Sequence, residues 1–366
     1  VAEVTARARG PKLGVIRDDV RAMRAYAVPD ATGLIKLDAM ENPFSLPVEL
    51  ARDLGEHLAK VALNRYPPAD PARFKRRLAE FAGLAADQAL MLGNGSDELI
   101  HLMIQACARQ DAPGGAVVLA PTPAFVMVEV FTRLDGCRFV GVPLQPDFSL
   151  DLEALRGAID AHRPALVFIG YPNNPTGNLF SRADMEVILD QAPGLVVIDE
   201  AYAPFAQDTW MPQLAGRPNL VVLRTLSKLG LAGLRLGYAC ADPLWIAEFD
   251  KVRPPYNVGV LPLATADFLL DHFPVLQQQA ALIRSERARL LGALRARTGV
   301  TAFNSAANFI LFRVPDPDRL FAGLCGRGIL LKNVSGSHPL LAGCLRVTVG
   351  TPQENNAFLD ALEALL

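Results

Sequence analysis

Leu195–Tyr202 reads LVVIDEAY and Leu220–Arg235 reads LVVLRTLSKLGLAGLR. Each begins with a β-branched and aliphatic run that is apolar at every position rather than at alternate ones, which predicts a strand covered on both faces. Each run then ends in reactive side chains: Asp199 and Glu200 close the first, and Thr225, Ser227 and Lys228 close the second. Outward from these, Ala116–Ala120 (AVVLA), Ala165–Gly170 (ALVFIG) and Leu236–Cys240 (LGYAC) repeat the strand pattern. Between them Ser96–Arg109, Asp151–His162 and Ser181–Gln191 carry helical spacing, with Ser96, Asp151 and Ser181 as N-cap residues. Strands alternating with helices predict a largely parallel α/β sheet whose loops gather at one edge.

The texture changes near Pro262. Pro262–Thr298, rich in Ala, Leu, Gln and Arg, predicts one or two long helices; Asn308–Val314, Gly328–Lys332 and Leu345–Val349 read as strands, and Pro352–Leu366 as a closing helix. The expected organisation is an N-terminal arm over 1–45 packed on the small domain, a large α/β domain over 46–262 and a small α+β domain over 263–366. No internal repeat or low-complexity tract interrupts it.

Composition narrows the function classes. Of 366 residues, 51 % are apolar and 20 % charged, which excludes a long disordered protein. Lys plus Arg is 36 against 38 for Asp plus Glu, a net charge of -2 that offers no broad attraction for nucleic acid or an anionic membrane. Neither is expected as a partner. The five cysteines (107, 137, 240, 325, 344) are odd in number and lack a C-x-x-C, so no disulfide framework or zinc knuckle is predicted. The five histidines are scattered without ligand spacing, and no metal is expected. No apolar run approaches the ~18 residues of a membrane span. Glu3, Arg7 and Arg9 precede no apolar core of a signal peptide, so the expected location is the cytoplasm.

Lys228 carries the strongest chemical signal. A lysine between a hydroxyl residue and an apolar, Gly-rich stretch is expected to be buried, with its pKa depressed and its amine available for a Schiff base. An ordinary lysine at a strand end is the plainer alternative. Asp199 falls at the carboxyl end of a strand, where ligands collect, or else it caps the next helix. Tyr171–Asn178 (YPNNPTGN) presents Asn174 from a strand-end loop, or is a plain turn. Gly93–Glu98 (GNGSDE) precedes a helix start, so the N–H groups of Ser96 and Asp97 can receive an anion. The Asp97 carboxylate would then have to point away.

The order GNGSDE, NNPTG, DEAY, TLSK, AGLR resembles that of fold type I pyridoxal phosphate aminotransferases over nearly the whole chain. KLDAMENPFSLP at 36–47, followed by NRYPPAD, is similar within them to the histidinol-phosphate aminotransferase family. The resemblance implies an α/β fold with a large mostly parallel sheet domain and a smaller α+β domain, and pyridoxal 5'-phosphate as cofactor. It implies transfer of the amino group between L-histidinol phosphate and 2-oxoglutarate, giving imidazole acetol phosphate and L-glutamate in histidine biosynthesis, by a ping-pong Schiff-base route. Lys228 is then the cofactor anchor and proton carrier. Asp199 pairs with the pyridinium nitrogen, and Asn174 and Tyr202 donate to the phenolate oxygen. Phosphate falls to the N–H groups of Ser96 and Asp97, to the hydroxyls of Thr225 and Ser227, and to Arg235. Phe125 stacks on the cofactor ring unless it is a core residue. Tyr66 reaches the phosphate of a neighbouring subunit, which implies a homodimer with shared sites.

On the substrate side the resemblance implies Arg346 gripping the glutamate α-carboxylate or the histidinol phosphate phosphoryl group, with Tyr26, Asn42 and Lys332 assisting. Asn42 reads equally well as a turn residue. The chain departs from the family twice: six residues, one fewer than in many relatives, separate Lys228 from Arg235, and Lys332 stands where arginine is common. A lysine cannot form the bidentate fork. Aromatic amino acid transamination and O-phosphothreonine decarboxylation are the alternatives on the same fold. A non-catalytic sensor is a third, but the chain has no spare ~70 residues before the α/β unit for a DNA-binding module.

Overall fold

In a computed structural model of the chain, residues 13–366 are described apart from 24, 26–27, 69 and 109–114, so Tyr26 lies outside the described residues. The chain divides into two compact units, 1–32 and 33–366. Among its described residues, the first contains a short 3-10 turn at Leu13–Val15 and the helix Asp18–Ala22. Every strand among the described residues belongs to the second.

These strands in chain order are β1 (Ile35–Lys36), β2 (Ala89–Gly93), β3 (Val117–Thr122), β4 (Arg138–Pro143), β5 (Leu166–Gly170), β6 (Leu195–Asp199), β7 (Leu220–Thr225), β8 (Gly237–Ala241), β9 (Thr301–Ala302), β10 (Phe309–Arg313), β11 (Ile329–Leu330), β12 (Lys332–Asn333) and β13 (Cys344–Thr348). β2 to β8 build a seven-stranded sheet in the order β2-β8-β7-β6-β5-β3-β4. Pairing is parallel along β7-β6-β5-β3-β4, while β8 runs against both of its neighbours.

The apolar runs explain why this sheet is central. Along β6 and β7, Val196, Ile198, Leu220 and Val222 enter one core layer, and Leu195, Val197, Val221 and Leu223 enter another. Alternate side chains of a strand point to opposite faces, so a run apolar throughout fills both layers. Burying each such side chain contributes about 1.5–3 kcal/mol. The helices Asp151–His162 and Ser181–Gln191 begin as expected: the Asp151 and Ser181 side chains accept from the N–H groups of Ala154 and Asp184, and the helices proper run over Leu152–His162 and Arg182–Gln191. Ser96 departs from expectation, because Gly95 (φ 84°) is the N-cap and Ser96 is the first helical residue of Ser96–Cys107. Its own N–H therefore leads the helix.

A third core layer joins the four-stranded sheet β12-β13-β10-β9 to the helices Phe273–Arg295 and Pro352–Glu363. The long segment after Pro262 is two helices, Val260–Asp271 and Phe273–Arg295. The single strand expected over Gly328–Lys332 is two. Ile329 and Leu330 pair in parallel with Ile35 and Lys36 of β1, whereas Lys332 and Asn333 pair antiparallel with Arg346 and Leu345. The partner changes at Leu331, whose side chain is fully buried in the core.

Candidate active site

Because β8 alone runs backwards in this stretch of sheet, one edge collects the carboxyl ends of β2, β3, β5, β6 and β7 together with the start of β8. A cleft of about 810 Å³, counting space open to solvent, lies there. It brings together Ser96, Asp97, Phe125, Asn174, Asp199, Tyr202, Thr225, Ser227, Lys228 and Arg235. These come from turns more than a hundred residues apart in sequence. Topology alone gathers them.

Lys228 lies in the 3-10 turn Ser227–Leu229, directly after β7, and its Nζ donates to the Ala39 carbonyl at 3.2 Å. It sits 5.9 Å from the Tyr202 ring centre, on the ring's face. Burial, aided by the Arg346 charge, lowers its pKa to about 8, while Glu41 and Asp97 oppose the shift. Asp199 closes β6, and its Oδ1 accepts the Ala201 N–H at 2.9 Å. Burial raises its pKa to about 7, with Asp97 and Glu200 adding to the rise and the Ala201 N–H and Lys228 opposing it. Tyr202 packs edge-on against Phe309 (5.2 Å) and points its hydroxyl at Met40 Sδ (3.2 Å); burial pushes its pKa up.

At the other end of the cleft the turn after β7 braces itself. The Thr225 hydroxyl accepts the Ser227 N–H at 3.1 Å and lies 3.0 Å from Ser227 Oγ. Arg235, in the left-handed region (φ 49°), lies 3.4 Å from Ser227 Oγ and 3.2 Å from the Asp97 carboxylate. The shortened spacing between Lys228 and Arg235 therefore still delivers both to one cleft. The Asp97 carboxylate pairs with the Arg235 guanidinium at this end of the cleft. Gly95, at the start of the helix, lets the Arg235 guanidinium approach: a Cβ there would lie 2.8 Å from Nη2 and make that side chain shift. Its φ of 84° is what requires glycine.

Phe125 precedes the helix Val126–Leu134, packs partly buried against the core layer of β3 and β6, and lines the cleft. In the loop after β5, Asn173 is buried and braces the turn through the Pro123 carbonyl and the Thr176 hydroxyl, while Asn174 faces the cleft. Arg346, in the middle of β13 and 7 % exposed, donates to Asn174 Oδ1 at 2.6 Å and to the Asp38 carbonyl at 3.0 Å. It thereby abuts the cleft through Asn174.

The remaining expected residues lie elsewhere. Lys332 is the cross-strand partner of Arg346 and does not line the cleft. Asn42 donates to the Leu229 carbonyl (3.0 Å) and Gln279 Oε1 (2.9 Å) and accepts the Phe44 N–H, which occupies its side chain away from the cleft lining. Tyr66 is 81 % exposed and stacks on Tyr256 at 4.9 Å. Sequence reasoning missed Met40, which lines the cleft with φ 55°. A methionine beside polar residues reads as a core filler; only its backbone conformation sets it apart. Among the described residues no cluster of His, Cys, Asp and Glu could hold a metal ion, and no helix is long and apolar enough to cross a membrane.

The donor set fits a flat, phosphorylated, cationic ring. Burial raises the Asp199 carboxyl toward its protonated form, so a cationic partner would suit it; Arg235 with the Ser96 end of the helix offers an anion cradle, and the Lys228 amine, its pKa lowered, lines the same cleft.

Comparison with known proteins agrees. The model of the aminotransferase class I and II family matches residues 32–362. Histidinol-phosphate aminotransferase 1 of Ralstonia nicotianae is 57 % identical over 357 residues, 96 % of this chain and 94 % of that one. Histidinol-phosphate aminotransferase 1 of Burkholderia lata is 55 % identical over 353 residues, 96 % and 98 % of the two chains. The crystal structure of histidinol-phosphate aminotransferase from Sinorhizobium meliloti in complex with pyridoxal-5'-phosphate superposes with a TM-score of 0.83 over 99 % of each chain; at 23 % identity it speaks for the fold. Sheet, cleft and relatives converge: the chain belongs to the class I and II aminotransferases and, within them, to the histidinol-phosphate aminotransferase family.

Proposed function

We propose that this chain is a pyridoxal phosphate-dependent aminotransferase that exchanges the amino group between L-histidinol phosphate and 2-oxoglutarate in histidine biosynthesis. The observation that carries the reading is the joint placement of Lys228, Asp199 and Arg235 in one cleft of a chain 57 % identical to a histidinol-phosphate aminotransferase.

Pyridoxal phosphate, when bound, supplies an electron sink that makes a Cα–H bond of an amine breakable. Lys228 would anchor it and carry the proton. Above a pH of about 8 its Nζ is mostly uncharged, so it can accept a proton from the substrate Cα and return it. Asp199 would hold the ring nitrogen; a positive N–H beside it reverses the burial effect and keeps the carboxylate ionised. Asn174 and Tyr202 would donate to the ring oxygen, and Phe125 would cover the ring face. The phosphate would take the N–H groups of Ser96 and Asp97, the Arg235 guanidinium and the hydroxyls of Thr225 and Ser227, which lie together in the turn after β7. Arg346 would grip the substrate carboxylate or phosphoryl group, assisted by its cross-strand partner Lys332.

We also assign a homodimer. Val48, Leu63, Tyr66, Tyr256 and Leu261 are exposed. Val48 and Leu261 lie on helices that pack together, with His57 5.2 Å from Phe268, and Tyr66 stacks on Tyr256. Such neighbouring apolar residues suit a subunit contact, through which Tyr66 would complete the neighbour's phosphate site. Five free cysteines fit the reducing cytoplasm. Residues 46–262 and 263–366 would form the large and small domains, with the remainder of 1–45 as the arm.

The deciding assay offers histidinol phosphate, phenylalanine and O-phosphothreonine in turn with 2-oxoglutarate. Glutamate forms fastest from histidinol phosphate. A wide preference for phenylalanine, or carbon dioxide release from O-phosphothreonine, would replace this reading with one of the alternatives.

A further inference from the structure

β6 and β7 lie side by side, with Asp199 opposite Leu223. Asp199 lines the cleft. The residues beside the site's own, Glu200 and Arg224, turn instead to a separate cavity behind the sheet edge, shared with Gln277 and Arg284. There they meet. Glu200, 1 % exposed, accepts from Arg224 Nε at 3.0 Å and Nη2 at 2.8 Å and from the Trp210 N–H at 2.5 Å. Thr209 Oγ1 lies 3.0 and 2.8 Å from its two carboxylate oxygens and accepts from Arg224 Nη2 at 2.8 Å.

A carboxylate withdrawn from water persists as an ion only when it is paired and fully hydrogen-bonded, and an apolar pair in the same space would often serve stability as well. Place matters more than energy here. One end of the pair is the residue after Asp199; the other is the residue before Thr225, four positions from Lys228. Any slip between β6 and β7 that separated Asp199 from Lys228 would have to break it.

We propose that Glu200 and Arg224 are positioning residues: their ion pair clamps the ends of β6 and β7 from behind the cleft, fixing Asp199 against the turn Thr225–Lys228, while the Glu200 charge biases the protonation of groups in the cleft. The inference rests on the functional reading above. The Glu200 charge is felt by Asp199 on its own strand, by Arg224 on β7, by Tyr238 and Cys240 on β8, and by Tyr171 and Arg182 after β5; of these Asp199 lines the cleft, and Arg224 pairs with Glu200.

The test uses Glu200→Gln, which keeps the side-chain shape and removes its charge. Stripped of cofactor and titrated with pyridoxal phosphate by absorbance, the variant shows a Kd raised about tenfold, as loss of a supporting partner does. With cofactor bound, the pH midpoint of its visible band moves to lower pH by about one unit, because removing a nearby negative charge favours the deprotonated form of every neighbouring acid. Thr209→Val, which loosens the clamp and keeps the charge, raises Kd with the midpoint unmoved. Glu200→Asp restores the midpoint. A wild-type Kd or a wild-type midpoint in Glu200→Gln, with only thermal stability lowered, overturns the proposal. If that variant fails to fold, a wild-type Kd in Thr209→Val overturns it instead. Unaltered protein that takes up no pyridoxal phosphate would defeat the functional reading itself, a result separable from either.

Discussion

The seven-stranded and four-stranded sheets meet the cleft differently. The first contributes from its edge: Asp199 is the last residue of β6, Lys228 lies three beyond β7, and Arg235 lies two before β8. The second contributes Arg346 from the middle of β13, its direction fixed by pairing with Leu311 and Lys332 on either side. Strand ends offer turns of adjustable shape, which suits groups that must converge on one small ring. Mid-strand positions offer a rigid direction, which suits a single grip at the end of a substrate.

That contrast can be broken by substitution, and the edge side has the largest effects. Lys228→Ala is expected to lower turnover by at least about 10⁴-fold, since anchor and proton carrier go together; the mass of the borohydride-treated protein will also lack the cofactor adduct. Asp199→Asn should lower kcat by roughly 10²–10³-fold through the weaker electron sink. Its stability effect runs the opposite way. Because burial raises the Asp199 pKa from 3.8 to about 7, the cofactor-free fold favours the protonated form, a contribution present below pH 3.8 and lost as pH rises to about 7. Cofactor-free Asp199→Asn should accordingly melt higher than the parent above pH 7 and equally at pH 4, and equal melting at both would remove the burial argument.

Arg346→Gln tests the rigid side. It should raise KM for both glutamate and histidinol phosphate by about 10–100-fold, as loss of a charge-assisted bond does, and leave cofactor affinity alone. A fall in cofactor affinity instead would merge the two halves of the comparison. Tyr66→Phe should weaken cofactor binding about two- to five-fold, the loss of one hydrogen bond, without changing the elution volume. Asn42→Ala should be smallest in function: a loss of about 1–2 kcal/mol in stability from its three broken hydrogen bonds, with KM unchanged. A raised KM would move Asn42 into the substrate's company.

Legibility in the sequence followed the same divide. Runs apolar at every position mark β6 and β7 unambiguously, so the residues that end them announce the edge on which they stand. Arg346 was identifiable by family resemblance, yet nothing local says that it meets Asn174, because that contact depends on how the two sheets are set against each other. Asn42 and Met40 lie two residues apart in one segment, and their roles separate only in three dimensions: one is consumed by backbone and Gln279, the other lines the cleft. Glu200 read as the second acid of a pair, since alternation along a strand sends it behind the sheet but does not reveal Arg224 waiting there. Ser96 misled as a cap because a glycine with positive φ took the position before it.

The reversal of β8 has a consequence for what length changes the chain can bear. Had this strand run with its neighbours, a crossover would have been needed and Arg235 would begin its strand at the far rim, about 17 Å away at ~3.4 Å per residue. As built, six residues tie amine and guanidinium together across one hairpin-like return. Insertions between positions 229 and 234 would push these two cations apart directly, whereas lengthening the surface connections at the opposite rim leaves their separation untouched.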